Sequence, residues 1–333
     1  MTQPRPKYER SPDPPAMHFQ ERDGQILQAV YDYDGVLARR HLKTMFWPDA
    51  SWRAMEMRLS LLYHQGYLDW PSAVQWRTRP IPEAVCWLGW KGALWLAGRV
   101  GADAPAVATP SETKLRQLSR DLRQQGIRWL REPRWHQLSH DLTAVDVRLA
   151  VEKSVSQIPD LEIEKWLAEG AFLVHTDTVE FQIPTAKGTA KKVKRGIRPD
   201  GYFALIDKHR QSQGLPARAR FLLELDMATH DVGSFVIEKA IAGWHYIQSP
   251  AYKTRFGDNS GCWLVVTTTE TRRKHLMYHI QQALKANAAA FLFTNFSQLK
   301  DVNVLSAPVW WQVGRDKPIS LFGLSTTSRR SQL

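Results

Sequence analysis

Ile197-Arg198-Pro199-Asp200-Gly201-Tyr202-Phe203-Ala204-Leu205 and Phe221-Leu222-Leu223-Glu224-Leu225-Asp226 decide how the second half of this chain folds. Each reads as a short apolar strand carrying carboxylates where a buried strand should have none. Glu224 and Asp226 are two residues apart, so on a strand they share a face. Buried charge without a partner is costly, so these groups need a cation, either a hard divalent metal or a basic side chain. A hairpin across the loop from Asp207 to Arg220 brings Asp200 beside Glu224 and Asp226, and the next helix supplies Lys239. Three carboxylates at one point suit Mg2+ or Mn2+, which keeps waters and takes one or two carboxylates together with phosphate oxygens. A neighbouring lysine stabilises developing charge. The alternative is a structural network in which Arg198 or Lys239 neutralises the acids without a metal.

Outward from these strands the pattern alternates. A helix over Leu138–Ser156 precedes a strand over Leu161–Leu167 and a β-rich stretch to Ile183. After the two acidic strands come a helix over Phe235–Ile247, a strand over Trp263–Thr268, a helix over Thr271–Ala288 and a strand over Phe291–Phe293. This order predicts a mixed α/β sheet covered on both faces. Lys187, Lys191, Lys192, Lys194, Arg195 and Arg198 form a basic run without an acid, made flexible by Gly188 and Gly196, that leads into the Asp200 strand. It is suited to hold a phosphate backbone near the carboxylates; a solvated hairpin tip is the plainer use.

The N-terminal part reads as helices over His18–Tyr33 and Ala38–Phe46, then a third helix capped by Ser51 and closed after His64 by Gly66. Tyr67-Leu68-Asp69, a Pro-bounded loop with Arg77 and Arg79, and a returning strand over Glu83–Leu88 complete a winged helix-turn-helix pattern. On the third helix Trp52, Arg53 and Arg58 lie opposite Met55, Leu59 and Leu62, where a recognition helix meets base edges. Arg39, Arg40 and Lys43 are placed to hold phosphates, and Arg77 and Arg79 to enter a minor groove.

The 333 residues carry 45 Lys and Arg against 33 Asp and Glu, a formal charge of +12 that favours an anionic partner, nucleic acid first. Cys86 and Cys262 lie far apart, with no zinc spacing, and indicate a reducing, cytoplasmic setting. The most apolar stretch, Ala84–Val100, is too short and too interrupted to span a bilayer. No phosphate-binding G-x-x-x-x-G-K-[ST] loop, G-x-S-x-G elbow or H-E-x-x-H helix is present.

With Pro199-Asp200 on one strand and Glu224-x-Asp226 on the next, the chain resembles the PD-(D/E)xK nuclease superfamily, whose core is a helix, a three-strand meander, a helix and a fourth strand. The motif lysine position holds Asp226. Some members of the superfamily carry the lysine on the following helix, and the resemblance nominates Lys239 for that role. An acidic residue on the first core helix often assists the metal there, which points to Asp146. The whole resembles the bacterial replication-relaxation family, found with plasmids and other mobile elements, over about residues 21–269. That resemblance rests on the helical start, His140-Asp141-Leu142-x-x-x-Asp146, Trp166-Leu167-Ala168-Glu169, Arg198-Pro199-Asp200, Glu224-Leu225-Asp226-x-x-Thr229, and Lys239 with Tyr246.

The expectation is an α/β chain. It divides into a disordered tail (1–17), a winged helix-turn-helix domain (18–100), a linker and bracing helix (101–137), a PD-(D/E)xK-like domain (138–324) and a second disordered tail (325–333). Double-stranded DNA is the expected partner, with no membrane and with protein partners from the same mobile element. Catalysis would use Asp200, Glu224, Asp226 and Lys239. A Mg2+-dependent endonuclease or nickase, a non-catalytic DNA-binding factor with a degenerate nuclease fold, and a protein scaffold all remain open from sequence.

Overall fold

A computed structural model describes residues 7–99, 111–184 and 189–322. The chain divides into two compact units, Met1–Val145 and Asp146–Leu333. The expected linker core at 101–110, the tail at 325–333, residues 1–6 and Lys187 lie outside the described residues.

The first unit runs α1 (Glu21–Asp32), β1 (Val36–Ala38), α2 (Arg39–Phe46), α3 (Trp52–His64), β2 (Leu68–Asp69), α4 (Ala73–Thr78), β3 (Val85–Leu88), α5 (Trp90–Arg99) and α6 (Glu112–Gln124). The three strands form an antiparallel sheet in the order β1-β3-β2. Ile26, Leu27 and Val30 of α1 and Met55, Leu59 and Leu62 of α3 are buried at helical spacing. Ser51 Oγ accepts the Ala54 N–H at 3.2 Å and starts α3. Gly66 follows the end of α3 with φ +85°, a left-handed geometry that disfavours a side chain.

Four sequence expectations change here. Strand β1 was hidden between a glycine break and a helix, because its three residues are all buried and show no alternation. The loop holding Arg77 contains the short helix α4, started by a reciprocal cap between Ser72 and Gln75. Residues 7–17 are not a free tail. Arg10 donates to the carbonyls of Tyr63 and Leu68 and pairs with Asp69, and Trp70 Nε1 donates to the Lys7 carbonyl at 2.9 Å. The stretch after α6 is not a linker either. Trp129 and Trp135 are buried, Trp129 Nε1 donates to the Leu88 carbonyl, and Trp135, Leu138 and Leu142 pack on Val36, Val85 and Trp87. The boundary between units therefore falls within the next helix, α7 (Leu138–Ser156), and not at its start.

The second unit continues with β4 (Leu161–Ala168), α8 (Glu169–Val174), β5 (Asp177–Pro184), β6 (Ala190–Ile197), β7 (Gly201–Asp207), α9 (Lys208–Ser212) and β8 (Arg218–Asp226). A composite helix follows, made of α10 (Val232–Phe235), a π-helical turn (Val236–Ile241) and α11 (Ala242–Ile247). Then come α12 (Pro250–Phe256), β9 (Cys262–Thr267), α13 (Glu270–Leu284), β10 (Phe291–Asn295) and β11 (Trp311–Gln312). The mixed α/β class holds. Six strands form one sheet in the order β11-β10-β9-β8-β7-β4. Strands β4, β7 and β8 are successively antiparallel, and β8, β9 and β10 run parallel. Strands β5 and β6 form a separate two-stranded ribbon.

Alternation sorts the sheet faces. Tyr202 and Ala204 of β7, Leu222 of β8 and Trp263 and Val265 of β9 belong to one buried cluster with Phe235, Val236, Ala240 and Tyr246 of the composite helix. Gly243 lies flush against Trp263: a Cβ there would come within 2.8 Å of the indole. On the same parity, the apolar rows run outward into Asp200, Glu224, Asp226 and Thr267.

Candidate functional site

The sheet register brings the acids to one place. Gly201 pairs with Leu223 on one side and Ala168 on the other. The next residue outward on each strand is Asp200, Glu224 and Glu169. Asp200 N–H donates to the Leu223 carbonyl at 2.9 Å, and Asp200 Oδ2 accepts the Leu225 N–H at 2.6 Å. This carboxylate thus stands in for a backbone carbonyl at the end of the ladder, which fixes its position beside Glu224.

Lys239 completes the group. Its Nζ lies 2.7 Å from Glu224 Oε1, and the Glu224 side chain is almost wholly buried. Burial disfavours the ammonium, but Glu224, Asp200 and Glu169 together outweigh it and raise the lysine pKa. Lys239 is therefore a fixed cation at neutral pH. It sits on the π-helical turn, a rare geometry that recurs at functional sites because the extra residue per turn redirects side chains. The sequence nominates Lys239 without deciding whether it reaches the carboxylates; here its ammonium meets Glu224 and feels the charge of Asp200.

Asp226 does not join them. Arg272 donates from Nε to Oδ2 at 2.8 Å and from its terminal nitrogen to Oδ1 at 3.0 Å. Thr267 Oγ1 donates to Oδ2 at 2.7 Å, and the Ala228 N–H to Oδ1 at 3.2 Å. The expected role of Asp226 as a ligand or catalytic acid is therefore corrected: both oxygens are committed to a structural pair between β8 and α13. Nothing local in the sequence signals a partner 46 residues away. Asp146 lies half-buried on α7. Glu169 joins Asp200 and Glu224 in the charge felt by Lys239.

Among the described residues no group of three or more His, Cys, Asp or Glu side chains could hold a metal ion. The row of acids is an electrostatic arrangement around Lys239, not a three-ligand cage. Its donor chemistry fits a hard divalent ion at Asp200 and Glu224 alone, since Mg2+ takes one or two carboxylates and fills its shell with water and phosphate oxygens.

Beside Glu224 and Lys239 a cleft of about 220 Å³ is lined also by Arg195, Arg198, Glu238 and Trp263. Lys191, Lys192, Lys194 and Arg195 of the basic run lie on strand β6 rather than in a loop, and β5 supplies an acid across the ladder. Glu180 pairs with Lys192 at 2.5 Å and reaches Lys194 at 3.9 Å. Val193 and Ile197 are buried, which turns Lys191 and Arg195 toward the opposite face from Lys192 and Lys194. Tyr246 Oη donates to Asp177 at 2.6 Å, Arg255 pairs with Asp177 at 2.9 Å, and His245 stacks on Phe181, so the base of the ribbon is fixed to α11 and α12.

In the first unit the expected DNA-contacting cations separate into two sets. Arg58 is sealed in a two-point pair with the fully buried Asp23 and donates to the His18 carbonyl. Arg39 pairs with Glu56 at 2.5 Å and lies over Trp70. Arg40 grips Glu83 with its Nε, and Lys43 closes α2 by donating to the carbonyls of Trp47 and Pro48. Arg58 and Arg39 are spent in largely buried pairs, Arg40 is answered by Glu83 at the surface, and Lys43 is tied to the end of α2 with its charge kept. Arg53, Arg77 and Arg79 are exposed, and half of Trp52 meets solvent.

Among the described residues no helix is long and apolar enough to cross a membrane. Compared with known family models, curated proteins and solved structures, the chain matches none.

Proposed function

We propose that this chain is a DNA-binding phosphodiesterase, with a winged-helix first unit and a PD-(D/E)xK-like second unit whose working residues are Asp200, Glu224 and Lys239. The observation that carries this is the convergence of Asp200 and Glu224, from neighbouring strands, on a lysine supplied by the following helix. The element order supports it: α7, the meander β4-β7-β8, the composite helix and β9 follow the helix, three strands, helix, strand order of that superfamily. In the first unit the order α1-β1-α2-α3-β2-β3 is that of a winged helix, with α3 as its recognition helix and α4 within its wing. The resemblance to the replication-relaxation family belongs to the same proposal, as does a role on a plasmid or other mobile element.

Asp200 and Glu224 would hold Mg2+ or Mn2+, which supplies polarisation of the scissile phosphate and a more acidic attacking water. Lys239, kept charged by the acids around it, stabilises negative charge developing on the phosphate oxygens and does not serve as a base. Arg53, Arg77 and Arg79 place the duplex through base-edge and phosphate contacts. The Arg272–Asp226 pair favours a second reading, a DNA-binding factor whose nuclease centre has been retired, because it removes one carboxylate and leaves an arginine near the motif position.

Plasmid nicking with added Mg2+ or Mn2+ separates the two. Cleavage that Asp200→Asn abolishes, with DNA affinity retained, supports the enzyme. DNA affinity without cleavage under either metal leaves the binding factor, and no affinity at moderate salt leaves a scaffold.

A further inference from the structure

We infer that the cleft between the β5–β6 ribbon and the π-helical turn seats one phosphodiester group of the nucleic acid, and that Glu238 holds its principal ligand, Arg195, until that anion arrives. This rests on the nucleic-acid reading above and names the anchoring contact of the same site.

The cleft is lined by Arg195, Arg198 and Lys239 against Glu224 and Glu238. Lys239 and Glu224 answer each other at 2.7 Å. That leaves two arginines facing one glutamate. Arg198 is exposed and makes one long contact, from Nε to Thr176 Oγ1 at 3.3 Å. Arg195 meets Glu238 through a terminal nitrogen at 3.4 Å, well outside the 2.7–2.9 Å of a good charged hydrogen bond. Both of those side chains are nearly half exposed. Arg195 Nε, by contrast, is buried and has no hydrogen-bond partner among the described residues. A guanidinium whose terminal nitrogens are half exposed at the cleft and only loosely held is poised for a forked acceptor, and a phosphate presents two oxygens at that spacing.

The position matches the chemistry. Glu238 and Lys239 are adjacent on the π-helical turn, so a phosphate taken by Arg195 lies beside the ammonium on Glu224. Tyr246 and Arg255 fix the ribbon at Asp177, so Arg195 is carried on an anchored strand and loses little freedom on binding. Glu238 acts as a stand-in anion: it keeps the arginine oriented, and must yield when DNA binds.

The test is titration of a short labelled DNA duplex with the full-length protein in EDTA over a series of salt concentrations. Arg195→Ala should weaken binding roughly tenfold and reduce the salt slope by about one. Glu238→Gln, an exposed change that leaves the fold intact, should tighten binding several-fold, and Arg195→Lys should restore the slope without restoring full affinity. Unchanged affinity and slope in Arg195→Ala, or weaker binding by Glu238→Gln, overturns the inference. The outcome is separable from the enzymatic reading. If these binding effects appear while no metal supports nicking, the phosphate seat stands and the nuclease reading falls. If Asp200-dependent nicking occurs with none of these binding effects, the reverse holds.

Discussion

Arg272 grips Asp226 at two points, 2.8 and 3.0 Å, while Glu224, two residues earlier on the same face, is held by Lys239. Two carboxylates that the sequence presents as one group are thus answered by cations from different helices. Removing Arg272 strands a buried charge, so Arg272→Gln should cost about 3–5 kcal/mol, and the double variant Asp226→Asn with Arg272→Gln should recover part of it. Urea unfolding checks this. A loss below about 1 kcal/mol would mean that the pair does not fasten α13 to β8.

Lys239→Met should destabilise by about 1–3 kcal/mol, less than a sealed pair because 35% of its side chain meets solvent. Its pKa is raised from the ordinary 10.5. A raised basic group contributes fully below its ordinary value and loses that contribution as pH climbs through the raised one. The gap between wild type and Lys239→Met should therefore be flat through neutral pH and close only above 10.5. A gap that closes between pH 7 and 9 would contradict the charge state given to Lys239.

The hairpin of the Asp200 and Glu224 strands, the composite helix and α3 were legible because each is long enough to show its period and is bounded by capping or turn residues. Ser51 and Gly66 bracket α3 as expected. What escaped was non-local or short. Three buried residues make β1 with no alternation to read. Arg58 on α3 looks like a DNA reader until Asp23, 35 residues earlier, closes on it. The ribbon's lysines read as an acid-free run because Glu180 lies on the other strand of the ladder. Spacing identifies which face a charge shares, and only tertiary pairing decides whether that charge is spent.

Arg58 and Arg53 provide a direct contrast on α3. Arg58→Ala should destabilise the first unit by about 3–5 kcal/mol, since Asp23 is fully buried beneath it. Arg53→Ala should change stability by less than about 0.5 kcal/mol but weaken DNA binding and lower the salt slope by about one. Thermal unfolding and a salt series on each variant give both quantities. A reversed pattern would move the proposed DNA-contacting face of α3 away from Arg53.

Glu169 acts on the site through charge and is its most discriminating member. It lies one residue beyond the Ala168–Gly201 pairing and acts on Lys239 through charge. If the acids around Lys239 serve only to keep the helix charged and packed, Glu169→Gln should shift stability slightly and leave nicking untouched. If they shape the field in which a phosphate is attacked, the same change should cut metal-dependent nicking roughly 10–100-fold at unchanged DNA affinity in EDTA. The second outcome is expected, because Glu169 contributes with Asp200 and Glu224 to the one electrostatic balance that fixes the charge of Lys239. Asp200→Asn measured alongside sets the scale for full loss, and a Glu169→Gln enzyme as fast as wild type would confine the working site to Asp200, Glu224 and Lys239.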